Sequence, residues 1–103
     1  MFVKIYEYHI DKDKEVFFLN IQEKAVQIYK EYLRCDVMYL KSINEETIWL
    51  EISRFSSQEE YLIDIQKVNN EPVIIELYEQ FESCLVPEKQ NIRESDFVMK
   101  LQL

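Results

Sequence analysis

The 103-residue chain contains no glycine, only two prolines and two cysteines, one histidine and one tryptophan. The missing glycine excludes the most chemistry. A phosphate-cradling loop and a dinucleotide-binding turn both need residues without a Cβ, where the backbone turns sharply or touches the ligand. Neither can be built here in standard form. Positive charge is scarce as well: 12 Lys and Arg stand against 20 Asp and Glu, a net charge of -8. Binding to DNA or RNA by counterion release needs a dense cationic face, so no nucleic acid partner is expected. No apolar run is long enough to cross a bilayer, and no membrane partner is expected. Cys35 and Cys84 lie far apart and read as reduced thiols. With no visible signal peptide, the expectation is a cytoplasmic protein. One histidine and two scattered cysteines give no convergent ligand set, so neither a metal nor a cofactor is expected.

What is present is apolar and aromatic. Hydrophobic residues make up 48% of the chain and aromatic residues 14%. That is too much for disorder and suits one core, hence one domain over residues 1–103. Residues 2–10, FVKIYEYHI, read as a strand from their β-branched and aromatic content. Asp11 or Asp13 is placed to cap a helix over 15–34. Its apolar stripe runs through Phe17, Ile21, Ala25, Ile28 and Tyr32. Residues 37–43 and 47–55 read as strands joined through Asn44, Glu45 and Glu46, with Asn44 expected at the left-handed turn position in place of glycine. Ser56 or Ser57 caps a second helix over 57–68, with Glu59 and Glu60 in its first turn. Asn69, Asn70 and Pro72 break it, and helix resumes at Pro72. Residues 96–103, DFVMKLQL, alternate as a last strand. This order predicts an α+β fold, a ferredoxin-like βαββαβ sandwich with a four-stranded antiparallel sheet and two helices on one face.

Strand alternation divides each strand into two sets. The more aliphatic sets are expected to pack against the helices. The other face then holds Phe2, Tyr6, Tyr8, Tyr39, Trp49 and Phe55 among Lys and Glu. Such a face is too aromatic to meet water, and it predicts a homodimer closed sheet to sheet, or the wall of a pocket.

The element order, the opening FVKIYEYHIDKDKEVF and the passage EISRFSSQEEYLIDI carry a resemblance. In the second passage a strand gives way to a helix through a serine, an acidic pair and the aromatic Tyr61. Over nearly the whole chain this resembles the antibiotic biosynthesis monooxygenase-like family of the dimeric α+β barrel superfamily. The resemblance implies a homodimer through the open sheet face, its sheets forming a dimeric α+β barrel. It also implies a pocket in each subunit, between sheet and helices, for a small hydrophobic ligand. Some members oxidise phenols or quinols without bound metal or flavin, which implies oxidation of a hydrophobic aromatic or quinol-like compound here. Many members place a histidine three residues after the helical aromatic, where this chain has Asp64. The haem-degrading branch has a tryptophan near that position and an iron-binding histidine further on, near Ile74 here. The second helix has no histidine, so haem is not expected.

The candidate catalytic residues are His9, Trp49 and Asp64. His9 is the sole imidazole and suits acid–base work near neutral pH. Trp49 offers an aromatic wall and an indole N–H, and Asp64 stands at the family's histidine position. Tyr6, Tyr39, Tyr61 and Arg54 are the candidate substrate-binding residues, with hydroxyls and a guanidinium to orient a ligand. Against these stand plainer roles: a surface histidine, tyrosines that complete the core, and a surface pair between Asp64 and Arg54. The alternative functions are a noncatalytic ligand-binding or regulatory dimer, and a structural partner-binding domain whose aromatic face is all interface.

Overall fold

The computed structural model describes residues 1–103. Its elements run β1 (Phe2–His9), α1 (Glu15–Tyr32), β2 (Cys35–Lys41), β3 (Ile48–Phe55), α2 (Gln58–Asn69), α3 (Pro72–Glu82) and β4 (Arg93–Val98). The strands form one antiparallel sheet in the order β2-β3-β1-β4, the ferredoxin-like arrangement. Within one chain the sheet is open and does not close into a barrel. Side chains from all three helices meet β1 and β3 in one core cluster, so the helices share a single face of the sheet.

Local chemistry sets the helix boundaries. The Asp11 carboxylate accepts from the Asp13 N–H at 3.0 Å, which starts a short 3-10 turn over Lys12–Lys14 ahead of α1. Ser57 caps α2, its hydroxyl accepting from the Glu60 N–H at 3.1 Å. Pro72 then opens α3, where its missing N–H leaves no hydrogen bond unmade. No residue in the chain has a positive φ. Asn44 therefore does not take a left-handed turn position. The β2–β3 connection is long enough to avoid one, and the Ser42 hydroxyl accepts the N–H groups of Asn44 and Glu45 at 3.2 and 3.0 Å.

Two sequence expectations shift by a few residues. The last strand lies at Arg93–Val98 rather than 96–103, with Arg93 opposite Glu7 and Val98 opposite Phe2 of β1. Past Val98, the Met99 N–H still donates to the Met1 carbonyl at 2.9 Å. In α1 the expected stripe holds at Ile21, Ala25, Ile28 and Tyr32, but its first position moves: Phe17 is 49% exposed, whereas Phe18 is fully enclosed. Phe18 is held there by four rings, Tyr8, Tyr39, Trp49 and Phe81, at centroid distances of 5.8, 5.9, 5.1 and 6.1 Å.

The larger correction concerns which sheet face meets the helices. Phe2, Tyr8, Trp49 and Phe55 are buried in the core, and Tyr6 and Tyr39 pack against it. The aromatic sets face inward. The polar residues that share their alternation do so because they find partners. Lys4 is 5% exposed and pairs with Glu94 at 2.6 Å and Asp96 at 2.7 Å. Burial draws its ammonium pKa down, but the hydrogen bonds to Asp96 and Glu94 outweigh that and leave it raised. Tyr39 donates to Gln22 Oε1 on α1 at 2.8 Å.

The opposite face carries the aliphatic sets. Across the sheet, Met38 opposes Ile52, Ile52 opposes Ile5, and Leu40 opposes Leu50. Val3 opposes Phe97, which is 51% exposed. No element of the chain covers this face. At its margin, Arg54 forms a two-pronged pair with Asp36 at 2.8 and 3.0 Å.

Candidate ligand cavity

Between the inward sheet face and the helices lies a cavity of about 290 Å³. The size suits a small organic ligand. Most of its wall is apolar, from Ile21 and Ala25 on α1, Ile65 on α2, and Ile74, Leu77 and Phe81 on α3. Five tyrosines also line it: Tyr6 and Tyr8 from β1, Tyr29 from α1, Tyr61 from α2 and Tyr78 from α3. Their convergence follows from two periods acting together. Tyr6 and Tyr8 are two apart on a strand, while Tyr61 and Ile65, or Leu77 and Phe81, are four apart on helices.

The acidic centre of the cavity is Glu51, from β3. It lies opposite Tyr6 of β1 and Tyr39 of β2, and its carboxylate accepts from the Tyr8 hydroxyl at 2.8 Å. What remains exposed of its side chain borders the cavity. Burial pushes its pKa up to about 7, and the Tyr8 hydrogen bond only partly opposes this. The tyrosines respond in turn. Burial first, and Glu51 second, hold the Tyr8 hydroxyl far above its ordinary range and push Tyr29 up to about 12. Tyr6 and Tyr61 are raised by burial as well. At neutral pH the cavity therefore presents neutral hydroxyls around the Glu51 carboxyl group, near its midpoint of ionisation, with the Glu94 side chain as a second acidic lining residue.

Of the sequence candidates, Tyr6 and Tyr61 line this cavity. The others lie elsewhere. His9 shares the outward alternation of Val3 and Ile5, and its Nδ1 is 2.8 Å from the Thr47 hydroxyl. Trp49 faces inward but is sealed against Phe18 at 5.1 Å and leaves its buried indole N–H without a hydrogen-bond partner. Tyr39 does not line the cavity but donates to Gln22, which does. Asp64 is half-buried on α2, pairs with Lys67 at 3.2 Å and does not line the cavity. Arg54 belongs to the opposite sheet face. Sequence reasoning passed over Glu51, Tyr29 and Tyr78 as site residues, whereas Tyr8 was among the aromatic residues offered as a pocket wall. The signal for Glu51 was its position: it shares the alternation of Trp49, Ser53 and Phe55.

The thiols and carboxylates outside the cavity form no second centre. Cys35 and Cys84 are both free, and burial raises the pKa of each, away from thiolate chemistry. No three His, Cys, Asp or Glu side chains converge in a way that could hold a metal ion. No helix is long and apolar enough to cross a membrane.

The fold is similar to that of solved antibiotic biosynthesis monooxygenase- and NIPSNAP-like α+β proteins, a likeness in structure alone. An uncharacterised NIPSNAP domain protein from Burkholderia xenovorans superposes with a TM-score of 0.73 at 16% identity, covering 97% of this chain and 95% of its own. A mutant of SnoaB, a cofactor-independent oxygenase from Streptomyces nogalater, gives 0.70 at 6% identity, over 99% and 95% of the two chains. A candidate antibiotic biosynthesis monooxygenase from Bordetella bronchiseptica gives 0.73 at 12% identity, over 97% of each. No family model matches the sequence, and no curated protein does.

Proposed function

We propose that the protein is a homodimer whose cavity binds a hydrophobic phenol- or quinol-like compound and prepares it for direct oxidation by O₂. The observation that carries this reading is Glu51, a carboxylate with proton affinity near neutral pH, set in an apolar cavity and held by one hydrogen bond from Tyr8. A base poised near the working pH is what proton removal from an aromatic hydroxyl requires. Glu51 takes the proton, and the electron-rich aryloxide then reduces O₂. One oxygen atom joins a ring carbon to give a quinone; the other leaves as water with the hydroxyl hydrogen and the displaced ring hydrogen. The walls exclude bulk water, and the neutral tyrosine hydroxyls donate hydrogen bonds to the developing anion. The oxygenase activity of SnoaB, on the same fold, supports this choice of chemistry.

The second copy belongs on the aliphatic sheet face. A continuous surface of Val3, Ile5, Met38, Leu40, Leu50, Ile52 and Phe97 is larger and more apolar than a solvated sheet face requires. A two-fold axis would lay it on itself and complete a barrel from two sheets.

Oxygen uptake with a panel of phenols and hydroquinones tests the chemistry. Uptake that saturates with substrate, and that yields one quinone per O₂ consumed, is the expected result. Saturable binding with no oxygen uptake would leave a noncatalytic ligand-binding dimer as the correct reading. That second reading has one observation in its favour: no Lys, Arg or His lines the cavity to steady an anion.

A further inference from the structure

The proposed chemistry leaves one charge unbalanced. Moving a proton from a phenol to Glu51 creates an aryloxide among walls that contain no Lys, Arg or His. Tyrosine hydroxyls donate hydrogen bonds to that anion but bring no compensating charge. Lys4 is the cation beside two of the lining rings, 5.9 Å from Tyr6 and 5.2 Å from Tyr61. It does not line the cavity, and Glu94 and Asp96 already hold it at 2.6 and 2.7 Å. Counted together, that cluster is negative.

The walls are instead suited to a cation. A ring face carries the negative end of the aromatic quadrupole, and five tyrosines contribute rings here. Two carboxylates add to this in an ordered way. Tyr6 lies opposite Glu51 on one side and opposite Glu94 on the other, so the three form a single row across β3, β1 and β4. Both glutamates line the cavity. Their backbones stand two strand spacings apart, about 10 Å.

We propose that the cavity selects a ligand that brings its own positive charge: a phenol carrying an alkylammonium group, its hydroxyl at Glu51 and its ammonium among the tyrosine rings on the Glu94 side. This rests on the reading of the cavity as a phenol site and adds the charge of the substrate to it. The ammonium would offset the aryloxide that the wall cannot offset. A neutral phenol lacks that charge. A phenol with a carboxylate tail would bring an anion against walls that include Glu51 and Glu94 and no cation.

Three compounds with one ring and one hydroxyl isolate the effect: tyramine, para-ethylphenol and para-hydroxyphenylpropionate, whose tails are cationic, neutral and anionic. NMR titration of the full chain at pH 8 reads both affinity and location. Tyramine should bind at least about tenfold tighter than para-ethylphenol, the scale expected of a cation over desolvated rings. The propionate should bind more weakly than either, and the shifts should centre on Tyr6, Tyr29 and Tyr61. If para-ethylphenol binds there as tightly as tyramine, or the propionate binds best, the charge selection is wrong and the phenol site survives. If none of the three perturbs the cavity residues, both readings fall.

Discussion

Replacing Glu51 with glutamine is expected to lower oxygen uptake about a hundredfold or more, while making the protein more stable at pH 8 by about 3 kcal/mol. The two effects have one cause. In the unfolded chain the Glu51 carboxyl ionises near 4.5, and in the fold near 7. Between those values the folded protein keeps a proton that the unfolded chain has lost. Stability is therefore fully present below pH 4.5, falls as pH rises through the window, and is lowest above pH 7. At about 1.4 kcal/mol for each pH unit of the difference, the sum is about 3 kcal/mol. Glutamine keeps the shape and an oxygen for the Tyr8 hydroxyl but cannot ionise, so it escapes this loss. The same change removes the proton acceptor. Urea unfolding of both proteins at pH 4.5 and pH 8 checks the stability arm: the curves should nearly coincide at the lower pH and separate at the higher. A variant less stable than wild type at pH 8 would show that the carboxylate is well solvated or well paired. Such a carboxylate could not act as a base near neutrality.

Placing arginine at Ile52 is expected to turn the dimer into a monomer, weakening association at least about a thousandfold. Ile52 lies between Ile5 and Met38 in the middle of the aliphatic face. A two-fold interface repeats every substitution, so each dimer would bring together two like charges among Ile5, Met38 and Leu50. An interface of ordinary size buries about 800 Å² of each partner, and little of the open face could remain outside it. Because Ile52 points away from the helices, I52R should leave the monomer fold and the cavity intact, which far-ultraviolet circular dichroism would confirm. Sedimentation at micromolar concentration should give a dimer for wild type and a monomer for I52R. A monomeric wild type, or a dimer that tolerates the arginine, would assign that surface to something other than a second copy.

The order of elements was legible because two periodicities alternate along the chain. FVKIYEYHI and TIWLEISRF repeat every two residues, and the segments around Ile21 and Leu77 repeat every three or four. Ser57 and Pro72 marked helix starts for reasons that hold in isolation. The choice of sheet face was not legible, since both sets mix polar and apolar residues: Lys4 and Glu51 stand on the inward face, and Glu7, His9 and Arg54 on the outward one. Alternation tells which residues share a face and leaves open which face the helices cover. A charged residue reads as solvent-facing until its partner is known, and Asp96, which holds Lys4 from β4, is 92 positions along the chain. The inward turn of the aromatic set carries Glu51 into the cavity and leaves His9 and Arg54 on the other side. The aromatic set, expected on the uncovered face, packs under the helices, and the set holding Ile5, Met38 and Ile52 takes its place.

The ionisation of Glu51 in the folded protein is the quantity on which the proposed chemistry rests. The carboxyl carbon signal that disappears in E51Q identifies it, and a pH titration of that signal by NMR reads its midpoint directly. The account predicts a midpoint of about 7. A midpoint near 4.5, the ordinary glutamate value, would contradict it.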